Sequence, residues 1–169
     1  AISRFEHKLG MCFLQTAQNF APKDFERVIS FLDYWPKAYP LAIEFRHKDW
    51  FEDKTINDEL SLMLQEKNIT HLITDTAGRR DLLHMRLTNK TAFIRFTGAN
   101  HSSDYSRLDD WLVRLDEWIS HGLENIYFFV HQNLELESPL LSAYFIKKLN
   151  KKYELNLTVP KTLNENKLF

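Results

Sequence analysis

Short apolar runs alternate with amphipathic segments along the whole chain. Five such runs recur roughly every 30 residues, at positions 9–15, 41–46, 69–75, 91–97 and 125–131. Each run is short and apolar nearly throughout, which is typical of strands in a parallel sheet that is covered by helices. The pattern therefore predicts five parallel β-strands joined by helical connections.

The segments between the runs carry apolar residues at the three- and four-residue spacing of an amphipathic helix. The predicted helices span about 25–35, 56–67, 106–121 and 138–150. The third is the clearest, and its pattern places Ser106 and Asp109 as the N-terminal cap and Gly122 as the stop. The region 77–88 is less regular and predicts at most one short helix.

Alternating strands and helices indicate an α/β fold in one domain over residues 1–169. Two architectures fit the repeat equally well. One is a five-stranded doubly wound parallel sheet. The other is part of a (β/α)8 barrel of the TIM type, with only about five of its βα units present.

The composition limits the class of protein but says little about a possible reaction. The chain has 169 residues, 44% of them hydrophobic, and a formal net charge of −1. This balance gives no general attraction to nucleic acid, so a nucleic-acid partner is not expected, and no run approaches the roughly 20 apolar residues of a membrane span. The single cysteine, Cys12, excludes an internal disulfide, and we expect a cytoplasmic protein.

Polar residues gather where the predicted strands end. In both candidate folds the carboxyl ends of the strands carry the ligand site. The residues at or just after these ends are Gln15, Glu44, Arg46, Trp50, Asp75, Arg95, His131 and Asn133. Glu44 and Arg46 are two positions apart, so their side chains share one face of their strand.

Two explanations account for charges on strands that are otherwise apolar. Glu44, Arg46 and Arg95 form either a purely structural ion-pair network or an anion site. In the anion site, Arg46 and Arg95 bind a phosphate or carboxylate, Glu44 or Asp75 is the general base, and His131 is an acid or base. A metal held by Glu44, Asp75 and His131 is a third alternative, although the nearby arginines oppose it.

Other candidates are weaker. His71 lies within a strand and is expected to be a satisfied core or rim histidine, whereas His84 is expected on a helix surface. Trp50 either caps the core or walls a pocket. Arg79 and Arg80 offer a weak signal for phosphate contacts. The chain contains no GxGxxG, GxxxxGK[ST] or GxSxG motif, so the sequence identifies no cofactor.

One segment resembles a known family. Residues 44–50, Glu-Phe-Arg-His-Lys-Asp-Trp, are similar to the EFRHxxW signature of the YecE-like family, also known as domain of unknown function 72. The resemblance continues in order through the positions of Gln15 with Pro22, Asp75, the segment 94–98, Tyr105, Trp111 and the segment 127–133. Ala17, Thr97 and His131 stand where the family has other residues, so we expect the site to differ in detail from that of the family.

The resemblance implies a (β/α)8 barrel whose fourth to eighth strands are present here. An open barrel exposes sheet edges, so we expect self-association or pairing with a missing N-terminal half. The family has no established reaction. The expected function is therefore an enzyme acting on a small phosphate or carboxylate substrate, with Gln15, Trp50, Tyr105, His131 and Asn133 lining the pocket. The alternative is a non-catalytic module for a nucleic-acid phosphate backbone.

Overall fold

The computed structural model describes residues 2–161, apart from the side chain at position 55. Within this range the strands are β1 (Cys12–Gln15), β2 (Leu41–Glu44), β3 (Thr70–His71), β4 (Ile73–Thr76), β5 (Thr91–Gly98) and β6 (Asn125–Gln132). The α-helices are α1 (Phe25–Tyr34), α2 (Asp49–Glu52), α3 (Lys54–Glu66), α4 (Ser103–Ser120) and α5 (Ser138–Tyr153). The α/β alternation predicted from the sequence is confirmed.

The strands pair in parallel and in chain order. One three-stranded sheet has the order β1-β2-β3, and the other has the order β4-β5-β6. The register sets Gln15 opposite Glu44, and it sets Arg95 between Thr74 and Phe129. Because parallel strands end at the same edge of a sheet, the polar residues predicted at the strand ends lie along one edge.

The third predicted strand is divided at Leu72 into β3 and β4. The Leu72 N–H donates to the Ile43 carbonyl oxygen at 2.8 Å, and the Leu72 carbonyl oxygen is 3.1 Å from His84 Nε2. This imidazole takes the place of a neighbouring strand at that carbonyl. The run therefore pairs with β2 before Leu72 and with β5 after it.

Helices α1 and α3 pack on one face of the first sheet. Alternate residues of the second run, Leu41, Ile43 and Phe45, point toward these helices and are buried. They form one apolar cluster with Val28, Leu32, Leu60, Met63 and Leu64. Burial of such side chains supplies about 1.5–3 kcal/mol each, so this cluster fixes the first half of the molecule.

Helices α4 and α5 pack on the matching face of the second sheet. Ile73 of β4 and Ala92, Ile94 and Phe96 of β5 contact them. The helices contribute Leu108, Trp111, Leu112, Leu115 and Trp118 from α4, and Leu141 and Phe145 from α5. The stripe predicted for α4 is thus its buried face.

The opposite face of the sheets carries a smaller core. Ala42, Leu72 and Phe93 are buried there, with Met11 and Tyr127 packed against them. A doubly wound sheet needs helices on both faces and a reversal of strand order. The described residues show helices on one face and strands in chain order, so the doubly wound alternative is wrong.

Helix α4 begins three residues before the predicted cap at Ser106. Buried Asp104 accepts hydrogen bonds from the N–H groups of Ala99 and His101, each at 3.0 Å. Burial raises the pKa of Asp104, but these hydrogen bonds, together with that of Gln132 and the charge of Arg107, outweigh it and hold the pKa below its ordinary value. The predicted stop is confirmed at Gly122, whose φ of 93° suits glycine.

Within residues 2–161, no helix is long and apolar enough to cross a bilayer.

Candidate functional site

Several of the predicted site residues meet at the carboxyl end of the strands, on the face opposite the helices. The Arg95 Nη1 atom donates to Glu44 Oε2 at 2.5 Å and to Gln15 Oε1 at 2.9 Å. These contacts join β1, β2 and β5 across sequence separations of 51 and 80 residues. One arginine therefore links the ends of three strands.

Arg46 lies on the other side of the same carboxylate. Its Nε atom is 3.9 Å from Glu44 Oε1, and the Glu44 side chain is almost fully buried. Within residues 2–161 the Arg46 guanidinium makes no hydrogen bond, and Glu44 Oε1 accepts none. The side chains of Arg46 and Arg95 are 33% and 29% exposed, so unused donors of both groups reach solvent.

Thr74 is a member of this site that the sequence analysis missed. It pairs in register with Arg95, so the two side chains project from the same face. Its residue is buried, and its hydroxyl has no hydrogen-bond partner within the described residues. A buried hydroxyl without a partner costs free energy, so this atom indicates a place for a further polar group. The sequence analysis chose the neighbouring Asp75 because that residue is charged, and so it passed over Thr74.

Asp75 faces the helices instead. Its Oδ1 accepts from Arg107 Nη2 at 2.6 Å, and its Oδ2 accepts from Trp111 Nε1 at 2.8 Å. Arg80 forms a further ion pair with it. Because successive side chains alternate between the faces of a strand, Asp75 and Thr74 point in opposite directions. The structure therefore does not bring Asp75 to Glu44.

Trp50 is part of the core. It lies in α2, is fully buried and donates its indole N–H to the Phe20 carbonyl oxygen at 2.7 Å. Its ring centroid is 4.8 Å from that of Phe45. Of the two roles left open by the sequence, the structure favours capping the core.

His131 and Tyr105 lie on opposite sides of the second sheet. His131 is on the Arg95 face, and its Nδ1 is 3.0 Å from Glu135 Oε1. Hydrogen bonds from Ser138 and His131 lower the pKa of Glu135. Tyr105 lies in the first turn of α4, where it is partly exposed and its ring packs edge-on against Tyr144 of α5.

Asn133 is exposed directly after β6, and the two loop arginines are engaged. Arg79 pairs with Asp81, and Arg80 pairs with Asp75. Both arginine side chains stay partly exposed, so the nucleic-acid alternative stays a prediction. Within the described part of the chain, no three His, Cys, Asp or Glu side chains come together as metal ligands. The metal alternative fails geometrically because Asp75 faces away.

Two histidines form a buried pair beneath the helices. The rings of His71 and His84 stack at 3.8 Å, with Phe51 stacked against both. Neither nitrogen of His71 has a hydrogen-bond partner within residues 2–161. His71 is a core histidine, as predicted, but its nitrogens are not satisfied by the described residues. The prediction of a surface His84 is wrong, because the irregular segment after Arg80 folds back over β3.

The chain is similar in sequence to proteins of one family. The model of a family described as "Protein of unknown function DUF72" matches residues 1–165. The UPF0759 protein YecE of Escherichia coli K12 is 25% identical over 181 residues, which include 96% of this chain and 66% of the relative. The same protein of Escherichia coli O157:H7 has the same values. The chain thus spans just under two thirds of these curated relatives.

Solved structures with the same fold are also known. Two crystal structures of a DUF72 family protein from Enterococcus faecalis V583, at 3.10 and 2.52 Å resolution, match with TM-scores of 0.67 and 0.68. Each is 15% identical, and the matches cover 89% and 83% of this chain and 61% of the solved chain. At this identity the likeness concerns the fold alone.

Proposed function

The chain belongs to the DUF72 family of proteins of unknown function, and from that premise we propose that it binds a small carboxylate or phosphate at the carboxyl end of its strands. The observation that carries the proposal is the arrangement of Arg46 and Arg95 on either side of buried Glu44. Guanidinium groups bind such anions through paired N–H donors.

A purely structural network does not account for this arrangement. Glu44 carries one negative charge between two guanidinium groups, so the cluster has one unbalanced positive charge. The Arg46 guanidinium makes no hydrogen bond to residues 2–161, and the Thr74 hydroxyl has no hydrogen-bond partner among them either. These donors are available to a bound anion, which would balance the charge.

Glu44 is the candidate proton acceptor if the site is catalytic. Its Oε2 accepts a hydrogen bond from Arg95, whereas Oε1 is 3.9 Å from Arg46 Nε and accepts no hydrogen bond from the described residues. His131 is the second acid or base candidate, on the same face and beyond Phe129 on β6. Acid–base catalysis often needs one group that accepts a proton and a second group that donates one, so both residues are named here.

The proposed frame for the site is part of a (β/α)8 barrel. Parallel strands in chain order with helices on a single face are typical of that fold. A barrel has no free edge, so we propose that strands outside those described pair with β1 and β6. A second copy or the remainder of a longer chain would supply them.

We expect Arg46→Ala to weaken the binding of acetate or inorganic phosphate by about 10- to 100-fold, because a charge-assisted hydrogen bond contributes about 1.5–3 kcal/mol. The change should leave the fold intact, since this side chain makes no hydrogen bond to the described residues. Titration calorimetry at low ionic strength measures the affinity, and circular dichroism checks the fold.

The matched control is Arg79→Ala. Arg79 is similarly exposed, but its guanidinium is bonded to the Asp81 carboxylate and makes no contact with Glu44 or Arg95, so its removal should not change the affinity. Equal anion binding by the native chain and the Arg46→Ala variant would rule out the proposed site. Equal losses in both variants would indicate a general charge effect instead.

A further inference from the structure

Glu44 and Arg46 present an acceptor and a donor to the same point of the anion site. Glu44 Oε1 and Arg46 Nε are 3.9 Å apart, which is too far for a direct hydrogen bond. Neither atom has another hydrogen-bond partner within residues 2–161. Hydrogen bonds of about 2.5–3.0 Å to the carboxylate oxygen and about 2.7–3.2 Å from the guanidinium nitrogen can meet at one atom. A single ligand atom can therefore contact both groups.

The atom at this point has to donate and accept at once. A ligand carboxylate oxygen would face the Glu44 carboxylate without a proton to donate, and an ammonium group would face the Arg46 guanidinium without a lone pair. A hydroxyl group meets both demands, because it donates its proton to Glu44 Oε1 and accepts from Arg46 Nε. The pair thus selects a ligand hydroxyl.

Donors for an anionic group lie beside this point. Arg95 uses its Nη1 atom for Glu44 and Gln15, which leaves its Nε and Nη2 atoms for a ligand. Thr74 is the register partner of Arg95 and is 8% exposed, and its hydroxyl has no partner within the described residues. A buried hydroxyl is normally hydrogen-bonded, so it indicates a polar ligand group at this place.

The charges of the site limit the charge of the ligand. Arg46 and Arg95 together carry two positive charges, and Glu44 removes one of them. One negative charge neutralises the remainder, whereas a dianion would leave an excess beside a buried carboxylate. A carboxylate fits this balance better than a phosphate dianion.

These groups lie on strands that have neighbours on both sides. Strand β2 pairs with β1 and β3, and strand β5 pairs with β4 and β6. The strands proposed to complete a barrel would pair with β1 and β6 instead, at least one strand away. The spacing of Glu44, Arg46, Thr74 and Arg95 is therefore set by contacts among the described residues.

We infer that the ligand of this site is a 2-hydroxycarboxylate monoanion, with its hydroxyl between Glu44 and Arg46 and its carboxylate on Arg95 and Thr74. The inference rests on the proposed anion site and adds a second ligand group to it. A hydroxyl on the carbon next to the carboxylate is the arrangement that reaches both parts of the site from one small molecule.

The test compares three probes that share a carboxylate: sodium glycolate, sodium acetate and sodium methoxyacetate. We expect glycolate to bind about 10- to 100-fold more tightly than acetate, because its hydroxyl adds hydrogen bonds to two charged groups. Methoxyacetate should bind no more tightly than acetate, since its ether oxygen has no proton to donate to Glu44. Titration calorimetry of the native chain at pH 8 measures all three affinities.

Glu44→Gln tests the role of the carboxylate. With the amide oxygen accepting from Arg95, the amide NH2 group faces the ligand hydroxyl and cannot accept its proton. The preference for glycolate should fall to about twofold or less, while acetate still binds. Glu124→Gln is the control, because Glu124 is an exposed carboxylate that pairs with Lys90 just before β5 and β6 begin.

The outcomes separate this inference from the proposed function. Equal binding of glycolate and acetate, both dependent on Arg46, would overturn the hydroxyl and leave the anion site standing. Tighter glycolate binding that Glu44→Gln does not change would also overturn it, because the hydroxyl would then lie elsewhere. Inorganic phosphate that binds more tightly than glycolate at pH 8 would exclude the carboxylate. Binding independent of Arg46 removes the anion site itself.

Discussion

Asp75→Ala is expected to lower the free energy of unfolding by about 3–5 kcal/mol, because it breaks the buried ion pair with Arg107, which then keeps only Asp104, and leaves the Trp111 indole N–H without its acceptor. The carboxylate accepts from Arg107 at 2.6 Å and from the Trp111 indole at 2.8 Å, and it also pairs with Arg80. A loss of this size is a large part of the 5–15 kcal/mol that stabilises a typical domain. Urea unfolding followed by circular dichroism measures it.

The surface carboxylate Asp81 provides the control. It pairs with Arg79 and is partly exposed, so Asp81→Ala should change stability by less than about 1 kcal/mol. Anion affinity should be the same in Asp75→Ala as in the native chain under conditions where both are folded. A stable Asp75→Ala variant that no longer binds anions would restore the catalytic role predicted from the sequence.

Asp75 shows that an apolar strand pattern does not always predict which face of the sheet a residue occupies. The sequence placed this residue correctly at a strand end, but Leu72 and Ile73 before it are both apolar. A run that is apolar on both sides does not reveal which face meets the helices, and a shift of one residue exchanges the faces. Thr74 rather than Asp75 consequently stands beside Arg95. Glu44 and Arg46 were easier, because their mutual spacing alone predicted a shared face.

The segments without periodicity were the least predictable. The position of His84 depends on how residues 77–88 fold over β3, and only long-range contacts decide that. The same holds for Trp50, whose burial depends on Phe20, 30 positions earlier in the chain. Helices with a clear stripe were placed to within a few residues, as at α4. Their period is a local property, which a single sequence displays.

The stability of the fold is expected to fall as the pH drops from about 6.5 toward 4, because of the buried pair His71 and His84. Burial lowers the pKa of His84 from 6.5 to about 4, and the positive charge of Arg86 adds to this effect. Burial, His84 and Arg86 lower the pKa of His71 well below 6.5. Both imidazoles are therefore neutral in the folded chain and take up protons on unfolding in this interval.

The sign and size of the effect follow from these protons. The folded pKa values are depressed, so the stabilising contribution is complete above pH 6.5 and is lost as the pH falls through the folded values. For His84 the fall from 6.5 to about 4 corresponds to about 3 kcal/mol. In the pH range where both histidines are protonated in the unfolded chain and neutral in the folded chain, they should change the unfolding free energy by up to about 2.7 kcal/mol per pH unit.

His71→Phe isolates one of the two contributions. The ring stacked on Phe51 and His84 is retained, and the two nitrogens that are lost have no partners within residues 2–161. We expect the slope between pH 5 and 6 to be lower than that of the native chain by about 1.4 kcal/mol per pH unit, with greater stability than the native chain at pH 5. Urea unfolding at a series of pH values between 4 and 7.5 measures the slope. His7→Phe is the control, since His7 is exposed. An unchanged slope in His71→Phe would mean that water or another group satisfies the His71 ring, so that its protonation costs nothing.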